Sequence, residues 1–217
     1  MPGKWTITAG LALAALPGMA ALIDFEADFP GFKPNGWSPS GHPNVTFSDT
    51  SGAGLRVDSF GAQGLGTRSL AVEDDLDGSK LQIDFSVPVD ALTLWFGNDD
   101  PSWAGPTDLA WLEIWNGGTL LATVTSSLNL NDAMDQSIGW SGACFDRAYF
   151  WYGDSSGNPY TQGIFTGLIE IVDMIEYRPC GTTMPDSGSG CWLLAMGLMA
   201  IFPLGHNRRA WLVMKRS

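Results

Sequence analysis

The chain has 217 residues with a formal net charge of −12 at pH 7, and it contains ten tryptophans and three cysteines. Its central part, residues 21 to 183, carries 22 acidic side chains against six basic ones. Such an acidic surface repels nucleic-acid phosphates and anionic lipid headgroups, which excludes nucleic acid as a partner. It remains compatible with divalent cations and neutral polysaccharides, and the length is sufficient for one domain with a hydrophobic core.

The first 20 residues have the pattern of a secretory signal peptide. Lys4 supplies a positive charge, Ile7–Leu16 is an apolar stretch, and Pro17–Ala20 contains the small residues that a signal peptidase reads. An amphipathic first helix is the alternative, but no polar face exists between Ala9 and Ala21. We predict cleavage after Ala20 and export of the remaining chain.

The body of the chain, residues 21–180, has the pattern of short strands separated by Gly, Asn, Asp and Pro turns. Apolar and polar residues alternate over Lys80–Val87, a turn is expected at Pro88 and Asp90, and alternation resumes over Ala91–Phe96. Further strands are predicted at Leu109–Trp115, Thr119–Thr125, Ile23–Glu26, Val45–Phe47, Leu55–Val57, Ser69–Val72, Cys144–Tyr152 and Phe165–Tyr177. No amphipathic helix of useful length appears. The pattern predicts an all-β domain, an antiparallel β-sandwich of jelly-roll type.

An acidic turn between two predicted strands is a candidate calcium site. Residues 73–78 read Glu-Asp-Asp-Leu-Asp-Gly, in which Asp74, Asp75 and Asp77 have a spacing suited to a hard cation. The turn lacks the complete EF-hand pattern, and Asn98–Asp100 is a second candidate. A solvated acidic turn is the alternative at both places, and calcium is the one candidate cofactor.

Aromatic residues on the predicted strands suggest a surface on which sugar rings stack. Glu113 should not be buried, so its neighbours two positions away, Trp111 and Trp115, should face outward with it. The same reasoning places Arg147, Tyr149 and Trp151 on one face, and Trp95 faces away from the core. The predicted platform therefore consists of Trp95, Trp111, Glu113, Trp115, Arg147 and Trp151. The alternative is that a loop or strand covers these rings as a second small core.

Most residues that carry catalytic chemistry are missing. The exported part contains a single histidine, His42, which we expect in a solvated loop. Gly139–Gly142 lacks the closing glycine of a nucleophile elbow, and there is no zinc-protease or phosphate-loop motif. Glu113 with Asp84 could form a glycosidase pair, but in so acidic a chain such pairs arise freely. We expect a protein that is not an enzyme.

Two cysteines, Cys144 and Cys180, lie in the exported part. In an exported protein such a pair is more often bridged than catalytic, which predicts a disulfide between them. The third, Cys191, begins an apolar run, and no lipobox surrounds it.

The C-terminal residues form an ordered set of three features. A Gly/Ser/Thr linker over residues 181–190 contains Met184, Pro185, Asp186, Ser187 and Gly188. An apolar segment, residues 191–205, follows, and a basic tail over residues 206–217 contains Arg208 and Arg209. The apolar segment is shorter than the roughly 20 residues of a stable span. A buried core helix is the alternative, but such helices rarely lie between a linker and an arginine pair.

This order of features resembles the C-terminal sorting signals of the PEP-CTERM class, most closely the VPDSG-CTERM variant, with Met184 in place of the valine. The resemblance implies a transmembrane segment that holds a precursor in the inner membrane, with the arginines on the cytoplasmic side. It also implies an exosortase-like enzyme that cleaves at the motif and transfers the protein to the cell surface or extracellular matrix.

Together, these observations predict an exported, non-catalytic surface or matrix protein associated with exopolysaccharide. The alternative is a carbohydrate-active enzyme, glycosidase-like, on the same β-sandwich fold.

Overall fold

A computed structural model of the chain describes residues 19–59, 66–72, 79–97, 104–131, 133–159 and 171–181. The chain divides into two compact units, residues 1–182 and 183–217, and all described residues belong to the first. Within the described residues, no helix has the length and apolar character needed to span a bilayer. Several predicted features lie outside the described residues: nearly all of the signal peptide, Asp74, Asp75, Asp77, Met184–Gly188, the apolar segment, Arg208 and Arg209.

All the regular elements among the described residues are β-strands. Their bounds are β1 Ala21–Ile23, β2 Gly31–Lys33, β3 Val45–Asp49, β4 Leu55–Asp58, β5 Ser69–Val72, β6 Leu81–Gly97, β7 Leu109–Asn116, β8 Thr119–Ser127, β9 Gln136–Gly153 and β10 Ile171–Pro179.

The strands hydrogen-bond into one antiparallel network. Its main path runs β2-β4-β5-β10-β6-β9-β7-β8, while β1 pairs with β10 and β3 pairs with β6. This arrangement confirms the prediction of an all-β antiparallel domain. Because β6 pairs with both β3 and β10, and β9 pairs with both β6 and β7, these two long strands connect the parts of the sheet.

The turn predicted at Pro88 and Asp90 is wrong, because β6 continues through both residues. The register between β6 and β9 shifts between Asp84 and Ala91, as expected for a bulge. A residue in a bulge does not need to donate to the ladder, so a proline is tolerated there. The carbonyl oxygen of Pro88 instead accepts a hydrogen bond from the backbone N–H of Cys180 at 2.8 Å.

Other strand ends also differ from the sequence prediction. The predicted strand Ile23–Glu26 ends early, because Phe25 has a φ of 58° and its carbonyl accepts a turn hydrogen bond from Asp28. The short strand β2 has too little alternation to be recognised. The last two strands differ as well: β9 begins at Gln136 rather than Cys144, and β10 ends at Pro179 rather than Tyr177. The predicted start of the last strand at Phe165 lies outside the described residues.

Besides a small cluster of Ala71, Met134 and Ile171, the buried apolar residues that the structure describes form one large core. Aromatic side chains from different strands meet in it, including Phe85 with Phe145 at 5.8 Å between ring centroids and Phe96 with Phe150 at 5.5 Å. Burial of such side chains is the main source of stability in a domain of this size. Cys144 and Cys180 form a disulfide with their Cα atoms 5.7 Å apart, which joins β9 to the end of the domain.

Candidate functional site

The outer face of β7 and β9 carries most of the residues of the predicted platform. Pairing places Trp111 opposite Trp151, Glu113 opposite Tyr149, and Trp115 opposite Arg147. The three β7 residues are half-buried, whereas Ala110, Leu112 and Ile114, which alternate with them, are fully buried on the core side. The strand pair thus presents two aromatic rows on one face, Trp111 with Trp151 and Trp115 with Tyr149.

The first of these rows is covered. The rings of Trp111 and Trp151 stack with centroids 5.8 Å apart, and the Nζ atom of Lys80 lies 3.5 Å from the Trp151 ring centroid. The indole N–H of Trp111 donates to the carbonyl oxygen of Asp154 at 3.1 Å. Trp151 is only 1% exposed. Its inclusion in an open platform is therefore wrong, because Trp111 and Lys80 cover its ring.

The second row opens into a cleft of about 540 Å³. Trp115 and Tyr149 form its aromatic corner, with ring centroids 6.3 Å apart and planes at 89°. The cleft is lined by Asn44, Thr46, Asp84, Phe85, Ser86, Trp115, Gly117, Gly118, Asp146, Arg147 and Tyr149. We call this space the Trp115 cleft.

Strand pairing explains how residues distant in the chain come together in the Trp115 cleft. Thr46 on β3 pairs with Asp84 on β6, which pairs with Arg147 on β9, which pairs with Trp115 on β7. Side chains at paired positions lie on the same face of a sheet, so these four form one row across four strands.

Hydrogen bonds within the protein orient the charged side chains of the Trp115 cleft. The Nε atom of Arg147 donates to Oδ1 of Asp84 at 2.5 Å, and Gln82 donates to Oδ2 of the same carboxylate at 2.6 Å. The hydrogen bond to Asp84 raises the pKa of the Arg147 guanidinium above its ordinary value. Asp146 accepts from the backbone N–H of Gly117 at 3.1 Å. The polar groups are thus oriented by contacts within the protein.

Glu113 lies beside the cleft and orients its main aromatic residue. Its Oε2 atom accepts from the indole N–H of Trp115 at 3.2 Å and lies 3.8 Å from the Nζ atom of Lys80. The carboxylates of Glu113 and Asp84 are therefore paired with different basic side chains, Lys80 and Arg147.

Trp95 does not join these residues. It pairs with Ser137 near the start of β9, whereas Trp151 lies near the end of that 18-residue strand. Its inclusion in the platform is wrong, because the outer face of β6 near Trp95 is a different part of the sheet. Among the described residues, no group of three or more His, Cys, Asp or Glu side chains is arranged to hold a metal ion.

Sequence reasoning missed the polar side of the Trp115 cleft. Alternation over residues 80–87 placed Asp84 on an outer face, but nothing local indicated that Asn44 and Thr46 would lie next to it.

His42 also differs from the expectation of a solvated loop residue. It is half-buried, its Nδ1 atom lies 3.1 Å from the Tyr177 hydroxyl, and burial lowers its pKa.

No family model and no curated protein matches the chain. Among solved structures, the crystal structure of SpGH29 has a TM-score of 0.32 at 13% identity, covering 59% of this chain and 27% of that one. The CBM51-2 and INT domains of Clostridium perfringens ZmpB have a TM-score of 0.33 at 8% identity, covering 75% and 30%. The family 32 CBM from C. perfringens NanJ in complex with galactose has a TM-score of 0.28 at 11% identity, covering 74% and 100%. The chain thus spans less than a third of the first two, and likenesses at such TM-scores define neither fold nor function.

Proposed function

We propose that the protein is an exported, non-catalytic surface or extracellular-matrix protein whose β-domain binds a neutral polysaccharide in the Trp115 cleft. The observation that carries this proposal is the junction of the Trp115–Tyr149 corner with the oriented Asp84–Arg147 pair in one open space. The finer description of the domain as a jelly-roll β-sandwich belongs to the same proposal. The large apolar core to which the bulged strands β6 and β9 contribute supports it.

The chemistry of a sugar ring matches the two halves of this cleft. A pyranose has apolar C–H faces that stack on aromatic rings, and Trp115 and Tyr149 offer two rings at right angles. Its hydroxyl groups need fixed donors and acceptors, which the Asp84 carboxylate and the Arg147 guanidinium supply. The cleft is lined by two carboxylates, those of Asp84 and Asp146, and by one guanidinium, that of Arg147, so a polyanionic chain would be repelled.

The C-terminal pattern supports sorting of the protein to the cell surface. Met184–Gly188, the apolar segment and the arginine pair occur in the order that the PEP-CTERM resemblance requires. In this proposal an exosortase-like enzyme releases the domain from an inner-membrane precursor into a polysaccharide-containing layer, where the Trp115 cleft retains it.

Glycan binding by single variants tests the function of the cleft. Trp115→Ala and Tyr149→Ala should each weaken binding to a neutral polysaccharide about five- to tenfold, because each removes one stacking ring worth on the order of 1 kcal/mol. Trp95→Ala is the matched control, since it removes a half-buried tryptophan from another part of the sheet. Affinity electrophoresis in gels containing a soluble β-glucan, a galactomannan or alginate gives the measurement.

We expect a gel that contains a neutral polysaccharide to retard the wild type and the Trp95→Ala control. Both cleft variants should lose this retardation. Equal retardation of all four proteins, or retardation by alginate alone, would contradict the proposal. New reducing ends after incubation with any of the polysaccharides would instead favour the carbohydrate-active enzyme.

A further inference from the structure

Asp173 carries a buried carboxylate at a point where β10 changes its partner. β10 pairs with β5 at Ile171 and Val172 and with β1 from Ile175 onward, so Asp173 lies between the two pairings. The residue is 0% exposed, and neither carboxylate oxygen has a hydrogen-bond partner among the described residues. An unpartnered buried carboxylate is costly and calls for an explanation.

A second buried oxygen without a partner lies on the neighbouring strand. The hydroxyl of Ser69 on β5 is fully buried and makes no hydrogen bond within the described part of the chain. Ala71 and Ile171 pair across β5 and β10 and belong to one small apolar cluster. Leu70 pairs with Val172, so Ser69 and Asp173 are the next residues along the two antiparallel strands.

Glu26 completes the group. A Cβ atom added at Gly66 would stand 2.5 Å from Oε1 of Glu26 and 3.3 Å from Oδ1 of Asp173, so both carboxylates border the space beside Gly66. Glu26 is fixed in this position because it accepts hydrogen bonds from the hydroxyl of Thr67 at 2.6 Å and the backbone N–H of Arg68 at 3.0 Å.

The carboxylate of Asp173 makes no ion pair with a basic side chain among the described residues. Burial, followed by the negative charges of Glu26 and Asp24, raises the pKa of Asp173 to about 6. The Arg68 guanidinium nearby donates instead to the backbone carbonyl oxygens of Glu26 and Asp28.

We propose that Asp173, Glu26 and Ser69 bind a hard divalent cation of the calcium class. Two carboxylates and a hydroxyl are oxygen ligands of the kind that such ions prefer, and backbone carbonyl oxygens or water complete the coordination. The ion supplies the positive charge that the buried Asp173 lacks. With two carboxylates rather than three or more, the affinity should fall in the weak range of extracellular modules, with a Kd on the order of 0.1–1 mM.

Calcium titration of the full-length chain, treated with chelator and kept in a mild detergent, tests the site. Wild-type protein should take up one saturable equivalent of calcium ion by isothermal titration calorimetry at pH 7.5, and its melting temperature should rise. Asp173→Asn and Glu26→Gln should each weaken this uptake at least about tenfold, since each removes one charged ligand. The matched control is Asp58→Asn, which removes an equal charge from a partly exposed ion pair with Arg56.

The Asp173→Asn variant also distinguishes loss of calcium binding from loss of folding. Because it removes the buried charge, Asp173→Asn should melt in chelator no lower than the wild type does. The proposal is overturned if wild type shows no saturable uptake of calcium or magnesium, or if Asp173→Asn binds as the wild type does. It is also overturned if Asp75→Ala abolishes uptake while Asp173→Asn does not, because the ion would then occupy the acidic turn.

Discussion

Two tryptophans on the same face of one strand have different roles at the scale of single residues. Trp111 and Trp115 are two positions apart and both half-buried. Trp111 is stacked on the buried ring of Trp151 and bonded to Asp154, whereas Trp115 borders the open cleft and is oriented by Glu113. The difference arises from what lies above each ring and not from the strand itself.

This contrast predicts a difference in stability. Trp111→Ala should lower the free energy of unfolding by about 2–4 kcal/mol, because it uncovers Trp151 and removes an aromatic stack. Trp115→Ala should cost about 1 kcal/mol or less, because its ring faces the cleft. Urea denaturation of both variants, followed by tryptophan fluorescence, gives the comparison. Equal losses for the two variants would show that both rings belong to one covered core.

At the scale of elements, the cleft depends on two long strands that change partners. β6 pairs with β3 in its first half and with β10 in its second, and a register shift separates the halves. Asp84, the residue of β6 that pairs with Arg147 of β9 in the cleft, lies in the first half. The disulfide between Cys144 and Cys180 lies close to this shift, because the N–H of Cys180 bonds to Pro88 within it.

The disulfide should therefore support both strands. It closes a loop with a sequence separation of 36 residues, for which chain entropy predicts a contribution of about 3–4 kcal/mol. Cys144→Ser/Cys180→Ser should lose that amount in urea denaturation, and non-reducing peptide mapping of exported wild-type protein should find the two cysteines linked. Dithiothreitol should destabilise wild type and leave the double variant unchanged. Two free thiols in exported protein would contradict the assignment.

At the scale of the whole molecule, the chain combines a strongly acidic β-domain with apolar segments at both ends of the sequence. An acidic surface of this kind favours solubility and repels other polyanions. The proposed route of export and sorting would deliver it to a polysaccharide layer without either apolar segment.

Processing can be measured directly. Surface-extracted protein should lack Met1–Ala20 and the residues beyond about Gly188, because the motif precedes a segment too short for a stable span. Intact-mass spectrometry provides the measurement, with Pro185→Ala/Asp186→Ala as a variant that should retain the C-terminal segment. A mature wild-type mass that still contains Arg208 and Arg209 would contradict sorting and indicate a simple tail anchor.

The buried face of β7, and of β6 up to Ser86, could be predicted from the sequence. Alternation with period two is a local property, so residues 80–86 and 109–115 could be assigned their inner and outer sides from the residue pattern alone. Val87, which the same alternation places with the buried residues, is 46% exposed. The antiparallel all-β class followed from the same pattern together with the turn residues. The placement of Trp111, Glu113 and Trp115 on one face required only that Glu113 avoid the core.

Contacts between distant segments of the chain set which strands are neighbours, and the site depends on these pairings. The covering of Trp151 by Lys80, the separation of Trp95 from the cleft, and the approach of Asp84 to Arg147 all arise from pairings between distant segments. The continuation of β6 through Pro88 likewise depends on a partner from the other end of the domain. Local pattern specifies the orientation of a side chain, but register and coverage depend on contacts between residues far apart in the chain.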